Sequence, residues 1–157
     1  MQQIKQYTEH YFFVRRAAKV KKGLLQIGPP ITWSEASRHP LCLLTREMHN
    51  RTIVDNAFRS AGVVSQPRME TNSILTLSLA VAEGSVCTVM PGALVGALRG
   101  YQELEALPLI GPEVRTAIGF MAQSGDRPSR TVEAALAMAQ DAGWLRHAAA
   151  HSGLLGV

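Results

Sequence analysis

Two short polar stretches each follow an apolar or β-prone run, and both carry groups suited to holding a small anion. Thr45-Arg46-Glu47-Met48-His49 comes after Leu41–Leu44, and Glu70-Thr71-Asn72-Ser73 closes the run that begins at Gln66. Hydroxyls donate hydrogen bonds without a charge of their own, and an arginine brings a fixed positive charge. A helix starting just beyond each stretch would add unpaired backbone N–H groups and the positive end of its dipole. None of Asn50, Thr71 and Asn72 has Glu or Gln three residues on, so no capping box engages those donors. The pattern describes an anion seat. Ordinary helix capping with no ligand explains the same residues, and the residues alone leave both open.

Other chemistry is thinly supported. The chain has no G-x-G-x-x-G, P-loop, G-x-S-x-G or H-E-x-x-H pattern. His147 and His151 are four apart, as two metal ligands on one helix face would be, but no carboxylate or cysteine stands beside them, so surface histidines are expected and no metal or cofactor. His39 and His49 flank the first stretch without a nucleophile or orienting partner. Glu47 and Glu70 could serve as an acid–base pair, yet two carboxylates at a rim are commonplace. Cys42 and Cys87 each sit in an apolar run (LCLL, VCTVM), which predicts buried, reduced thiols, with a redox pair or a catalytic thiol as the alternative. A binding module fits better than an enzyme.

The elements that would position the two stretches follow from periodicity. Tyr11–Val14 is a β-prone run. Residues 20–37 carry Gly23, Gly28, Pro29 and Pro30 and read as a loop with one helical turn near Trp33–Ala36. Leu41–Thr45 has the length of a buried strand. From Asn50, Ile53, Val54, Ala57, Phe58 and Ala61 fall on one helical face with Arg51, Asp55, Asn56 and Arg59 opposite; Asn50 is placed to cap and Gly62 to terminate. Gln66–Thr71 is the next strand, then a helix over Ile74–Glu83 capped by Asn72 or Ser73 and ended by Gly84. A strand over Val86–Met90, a helix over Ala93–Arg99 and a strand over Leu104–Ile110 complete the alternation. This predicts a mostly parallel sheet with helices on both faces, whose strand ends gather both polar stretches at one rim. Arg115–Ala122 reads as a further strand. A long helix is expected from Ser129 or Thr131 to about His147, burying Val132, Ala135, Leu136, Ala139, Ala142 and Leu145, with residues 152–157 frayed.

The bulk numbers set outer bounds. The 157 residues suit one domain or two small lobes sharing a hinge, and 46% hydrophobic against 18% charged residues supports a packed core. No apolar run is long enough to cross a bilayer, and the N-terminus lacks the features of a signal peptide, so a cytoplasmic protein is expected. The net charge of +4 is uneven: residues 1–51 hold nine Lys/Arg against three Asp/Glu, and the rest seven against nine. Arg15, Arg16, Lys19, Lys21 and Lys22 cluster without interleaved aromatics, as a solvated loop does more often than a nucleic-acid surface.

The stretches PLCLLTREMHNRTIVDNAF and METNSILTLSLAVAEGSVCTVMPGAL, followed by LPLIGPEVRTAIGF and SRTVEAALAMA, resemble the effector-binding domain of LysR-type transcriptional regulators over about residues 7–142. The resemblance implies a type 2 periplasmic-binding-protein-like fold: a Rossmann-like α/β lobe over 39–110, and an incomplete second α/β lobe drawn from residues 1–38, which also hold a hinge strand, and from 111–157. It implies a cleft lined by Thr45, Arg46, Glu47, Met48, Thr71, Asn72 and Ser73 with Pro91 nearby, and a small effector, a carboxylate or other anion. The family's winged helix-turn-helix and the start of its first lobe have no counterpart here, so the chain reads as a fragment. Operator DNA would be bound only through the missing head. A homo-oligomer without membrane contact is implied. An oligomerisation module with no small ligand is the alternative, and a solute-binding-type enzyme a weaker one.

Overall fold

Leu41–Leu44 is apolar at every position because the strand it forms is covered on both sides. The computed structural model describes residues 1–123 and 128–150. In it Leu41 and Leu43 pack with Trp33, Val54 and Phe58 on one face, while Cys42 and Leu44 pack with Leu77, Val81 and Val95 on the other. Tyr11–Val14 behaves alike, with Phe13 in the first cluster and Phe12 and Val14 in the second. Unbroken apolar runs of this kind mark strands inside a sheet with two covered faces. Trp33 meets Phe58 edge to face with ring centroids 5.1 Å apart, and burial of each such ring contributes roughly 2–3 kcal/mol.

The elements run β1 (Gln2–Glu9), β2 (Tyr11–Arg16), β3 (Gln26–Ile27), β4 (Ile31–Thr32), α1 (Trp33–Ala36), β5 (Cys42–Leu44), α2 (His49–Ser60), β6 (Met69–Thr71), α3 (Ile74–Glu83), β7 (Thr88–Pro91), α4 (Gly92–Ala97), β8 (Leu104–Ile110), β9 (Thr116–Ala122), α5 (Arg130–Gln140) and α6 (Ala142–Ala149). The main sheet has the order β3-β8-β2-β7, with β4 also on β8. The pair β5-β6 joins it at β7 through a parallel bridge between Leu41 and Cys87, reinforced by Cys42 N–H to Cys87 O and Cys87 N–H to Pro40 O, both 2.8 Å. Helices α1 and α2 supply one core cluster and α3 and α4 the other. The mostly parallel sheet with helices on both faces is therefore present. Strand β2 alone runs against its neighbours, antiparallel to β7 and β8.

Strands β1 and β9 leave this sheet and form an antiparallel ribbon of their own, with Gln2 opposite Ala122 and Glu9 opposite Thr116. Helices α5 and α6 lie on the ribbon through β1. Gln6, buried, ties them down: its amide donates to Ala139 O at 3.0 Å and accepts from the Trp144 indole at 2.5 Å. The chain passes between sheet and ribbon twice, at His10 and at Gly111–Arg115. His10 Nδ1 lies 3.8 Å from Glu113, and the Trp33 indole donates to Pro112 O at 2.8 Å.

Several sequence expectations are corrected. The long C-terminal helix is two helices. Asp141 adopts an extended conformation and its carboxylate accepts from Trp144 N–H at 2.8 Å, which starts a new helix where the old one would have continued. Of the expected buried stripe only Ala139 is buried; Leu136 and Leu145 are half-buried, and Val132, Ala135 and Ala142 are exposed. The second strand spans Met69–Thr71, three residues rather than six, and the helix expected over Ala93–Arg99 spans Gly92–Ala97. Asn50 does not cap α2: Met48 occupies that position without a side-chain hydrogen bond, and Asn50 lies inside the helix. Gly62 and Gly84 do end α2 and α3 with positive φ, as expected. His151 and residues 152–157 lie outside the described residues.

Candidate functional site

Parallel strands finish on one side of a sheet, and three of them bring the polar stretches together here. Leu44 of β5 is in register with Thr71 of β6, and Thr45 N–H donates to Thr71 O at 3.1 Å. Carrying the Leu41–Cys87 pairing forward brings Pro91 level with Thr45. Pro91 in turn pairs with Tyr11 of β2. Thr45, Pro91 and Tyr11 thus stand in one row on adjacent strands, with Thr71 one residue behind it on the next strand, about 5 Å from one strand to the next.

The three helix starts along this row are not equivalent. Helix α2 has neither a side-chain cap nor an acidic residue in its first turn; Arg51 N–H is taken by Met48 O at 2.9 Å, and among the described residues no side chain engages the N–H groups of His49 and Asn50. At α3 Ser73 is the cap and its Oγ accepts from Thr76 N–H at 3.2 Å; Thr71 Oγ1 accepts from Ser73 N–H at 3.1 Å. Both oxygens act as acceptors, which leaves both hydroxyl hydrogens to donate elsewhere. At α4 the chain fills the place itself. Ala93 N–H donates to the Glu9 carboxylate at 3.2 Å, and Gly92 N–H to His10 O at 2.8 Å. Burial pushes the Glu9 carboxyl above its ordinary value, while the Ala93 hydrogen bond opposes the shift.

The remaining rim residues are placed as follows. The Thr45 hydroxyl donates to Glu47 Oε1 at 2.8 Å, and the Glu47 carboxyl is held below the usual range by its own backbone N–H and by that hydroxyl. Arg46, Glu47 and Asn72 are exposed, Met48 half-buried and Pro91 buried. Glu70 is engaged by Arg51, so Glu47 and Glu70 are each taken up by another side chain. His49 is the exposed first residue of α2, and the His39 ring packs tilted against Phe13 with centroids 5.0 Å apart. The two cysteines belong to opposite faces of the sheet, Cys42 within one core cluster and Cys87 against the other. Burial raises both thiol pKa values, which fits reduced structural thiols and not a redox pair. No group of three His, Cys, Asp or Glu among the described residues could hold a metal, and none of their helices is long and apolar enough to cross a membrane.

Three rim residues were not singled out by sequence. Arg51, expected on the solvent face of α2, is only 2% exposed; it binds Leu44 O at 2.6 Å, Asp55 at 2.9 Å and the Glu70 carboxylate. One buried cation thereby joins α2 to the ends of β5 and β6. Burial alone would lower its pKa, but Glu70 and Asp55 reverse the effect and the net shift is upward. The Arg51–Asp55 spacing of four was the available signal. Tyr11 is buried, accepts from Asn50 Nδ2 at 3.4 Å and bonds Thr116. Glu9 gave no signal at all. Away from the rim, an apolar groove of about 540 Å³ runs between β9 and α5, lined by Phe120, Met121, Pro128, Val132, Ala135 and Leu136. It shares no residue with the mouth described above.

A two-faced α/β sheet of this topology, with polar loops at one rim and a ribbon reached by two chain crossings, is a type 2 periplasmic-binding-protein-like fold. Residues 9–144 match the LysR substrate binding domain, and the chain belongs to that family. Comparison with curated proteins gave no match. Among solved structures, a Corynebacterium glutamicum OxyR C206 mutant aligns with a TM-score of 0.71 and 16% identity, covering 99% of this chain and 47% of that one. The effector binding domain of QuiR in complex with shikimate aligns at 0.66 and 11%, covering 94% and 65%. Full-length CbnR complexed with its target DNA aligns at 0.65 and 15%, covering 94% and 48%. At these identities the likeness is one of fold. The chain spans about half the length of the OxyR and CbnR chains it matches.

Proposed function

We propose that this chain is the ligand-sensing part of a LysR-type transcriptional regulator, and that it takes a small anionic metabolite at the mouth between sheet and ribbon. One observation carries this reading: the open start of α2 and the hydroxyls of Thr71 and Ser73 meet on adjacent strands joined by the Thr45–Thr71 hydrogen bond. Backbone N–H groups at a helix start, two free hydroxyl hydrogens and the dipole all favour negative charge. Arg46 contributes from the loop, with Glu47, Met48, Asn72 and Pro91 as the surrounding wall. The lobe over residues 39–110, with β2 threaded through its sheet, receives the ligand; the ribbon and α5–α6 close over it. A ligand preferring one arrangement of the two shifts the population toward it, which in the whole regulator changes an oligomer on DNA. DNA contact of the kind in the CbnR complex would come from a separate domain.

The test is a calorimetric titration of the chain with shikimate and with small mono- and dicarboxylates, wild type against Thr71→Ala/Ser73→Ala. Two hydrogen bonds at about 0.5–1.5 kcal/mol each predict a loss of affinity of about 5- to 150-fold. Equal affinity removes the site.

A second reading, an oligomerisation module, is favoured by the exposure of Phe120, Met121, Val132 and Met138 along the ribbon and α5. It predicts no heat with any carboxylate and a mass in sedimentation that rises with concentration.

A further inference from the structure

The rim opposite the mouth carries a surface that effector binding does not use. Because β2 runs against its neighbours, its end at Arg15-Arg16 and the loop that follows lie on that far side. Arg15 is paired with Glu105 at 2.8 Å and Arg16 binds Ala82 O at the end of α3. Lys19, Lys21 and Lys22 are exposed and form no ion pair among the described residues. Between and beside them three aliphatic side chains face solvent: Val20 is 53%, Leu24 61% and Ile27 46% exposed. The loop is tied in place. Gln26 Nε2 donates to Lys19 O at 2.9 Å, Leu25 is buried with its N–H on Arg99 O at 2.9 Å, and Gly23 makes the turn with φ of 130°. Among the described residues strand β3 pairs only with β8, which leaves its outer edge open.

We propose that this loop and the β3 edge are a docking surface for an acidic, aliphatic-bearing segment of another protein, laid along the edge in extended form. Charge complementarity selects the acidic partner. Lysines alone would be explained as guards that keep an open edge from pairing, but guards do not need Val20, Leu24 and Ile27 displayed among them. Those three side chains also separate this partner from the other polyanions. A phosphate backbone has nothing to cover them with, and residues 17–32 contain no aromatic side chain on which a base could stack. The same lack of Trp and Tyr sets the loop apart from membrane-interface anchors. An extended peptide offers backbone groups to the open edge, carboxylates to the lysines and alternate apolar side chains to the aliphatics.

The experiment is fluorescence anisotropy of the intact chain with a labelled peptide of about twelve alternating acidic and aliphatic residues. Saturable binding is expected, weakened at least about tenfold both by Lys19→Glu/Lys21→Glu/Lys22→Glu and, separately, by Val20→Ser/Leu24→Ser, while Thr71→Ala/Ser73→Ala leaves it unchanged. The lysine, valine and leucine positions are exposed, Thr71 and Ser73 half-buried, and circular dichroism melts check that each variant is folded. No binding by wild type overturns the proposal. So does binding that the Val20/Leu24 variant retains in full, which would mark a general polyanion surface, or tighter association with duplex DNA or with phosphatidylserine vesicles than with the peptide.

Discussion

Replacing Arg51 with methionine tests whether one buried cation organises the rim. Methionine keeps most of the arginine stem and removes the guanidinium, so the loss is chemical more than steric. Three acceptors lose their partner: Leu44 O, Asp55 and Glu70. Leu44 is 7% exposed, so its carbonyl is stranded in the core, at about 1–3 kcal/mol. The Asp55 and Glu70 side chains are 30% and 41% exposed and regain water, and Ser65 Oγ still donates to Asp55 at 3.0 Å. They therefore add about 1 kcal/mol between them. The expected destabilisation is about 2–4 kcal/mol, short of the roughly 3–5 kcal/mol for breaking a fully buried pair. Urea unfolding followed by tryptophan fluorescence measures it, because Trp33 is buried beside α2. Arg59→Met on the exposed face of the same helix serves as control and should cost under about 0.5 kcal/mol. If Arg51→Met costs no more than that control, the guanidinium is solvated and does not join the strands.

Glu9→Gln probes the filled helix start. The folded carboxyl is raised, so the folded chain holds that proton more tightly than the unfolded one; the burial penalty is absent below the ordinary carboxylate range and grows as pH rises through the folded value. Glutamine keeps an acceptor for Ala93, so the variant should melt above wild type at neutral pH and level with it near about pH 4; a variant less stable at neutral pH would contradict the account. Mild oxidation of the native chain should leave two alkylatable thiols and no Cys42–Cys87 bridge, with Cys87 reacting before the fully buried Cys42; an intrachain disulfide by mass spectrometry would count against the sheet assignment. Thr32→Ala removes a capping box in which Thr32 and Glu35 bind each other reciprocally, and should cost about 1 kcal/mol in urea; no change would mean α1 is held by Trp33 alone.

Elements long enough to show a period were legible: α2 and α3 from their apolar faces and terminal glycines, β5 from its unbroken apolar run. What escaped was set by partners distant in sequence. Tyr11–Val14 reads as a short β-prone run, and nothing local says that it inserts between β7 and β8 against their direction. Arg51 reads as a solvent residue because its acceptors come from β5 and β6, which the helical wheel does not contain. The break at Asp141 was written in a capping residue followed by Gly143, but the alanine-rich pattern on both sides outweighed it. Thr71 and Ser73 were recognisable from their place at a strand end. Glu9 was not, because its role depends on Ala93, eighty-four positions away.

The reversed direction of β2 decides where the ribbon is jointed. A strand running with its neighbours would enter the sheet at the far rim; β2 enters at Tyr11, and β8 leaves at Ile110, both on the rim that carries Thr45 and Thr71. If a ligand tilts the ribbon, as proposed, the fulcrum lies beside the mouth and the lever arm extends away from it. Strand β1, with 8 residues, reaches about 27 Å, so a tilt of about 10° at His10 swings its tip by about 5 Å, whereas atoms next to the joint shift by a fraction of that.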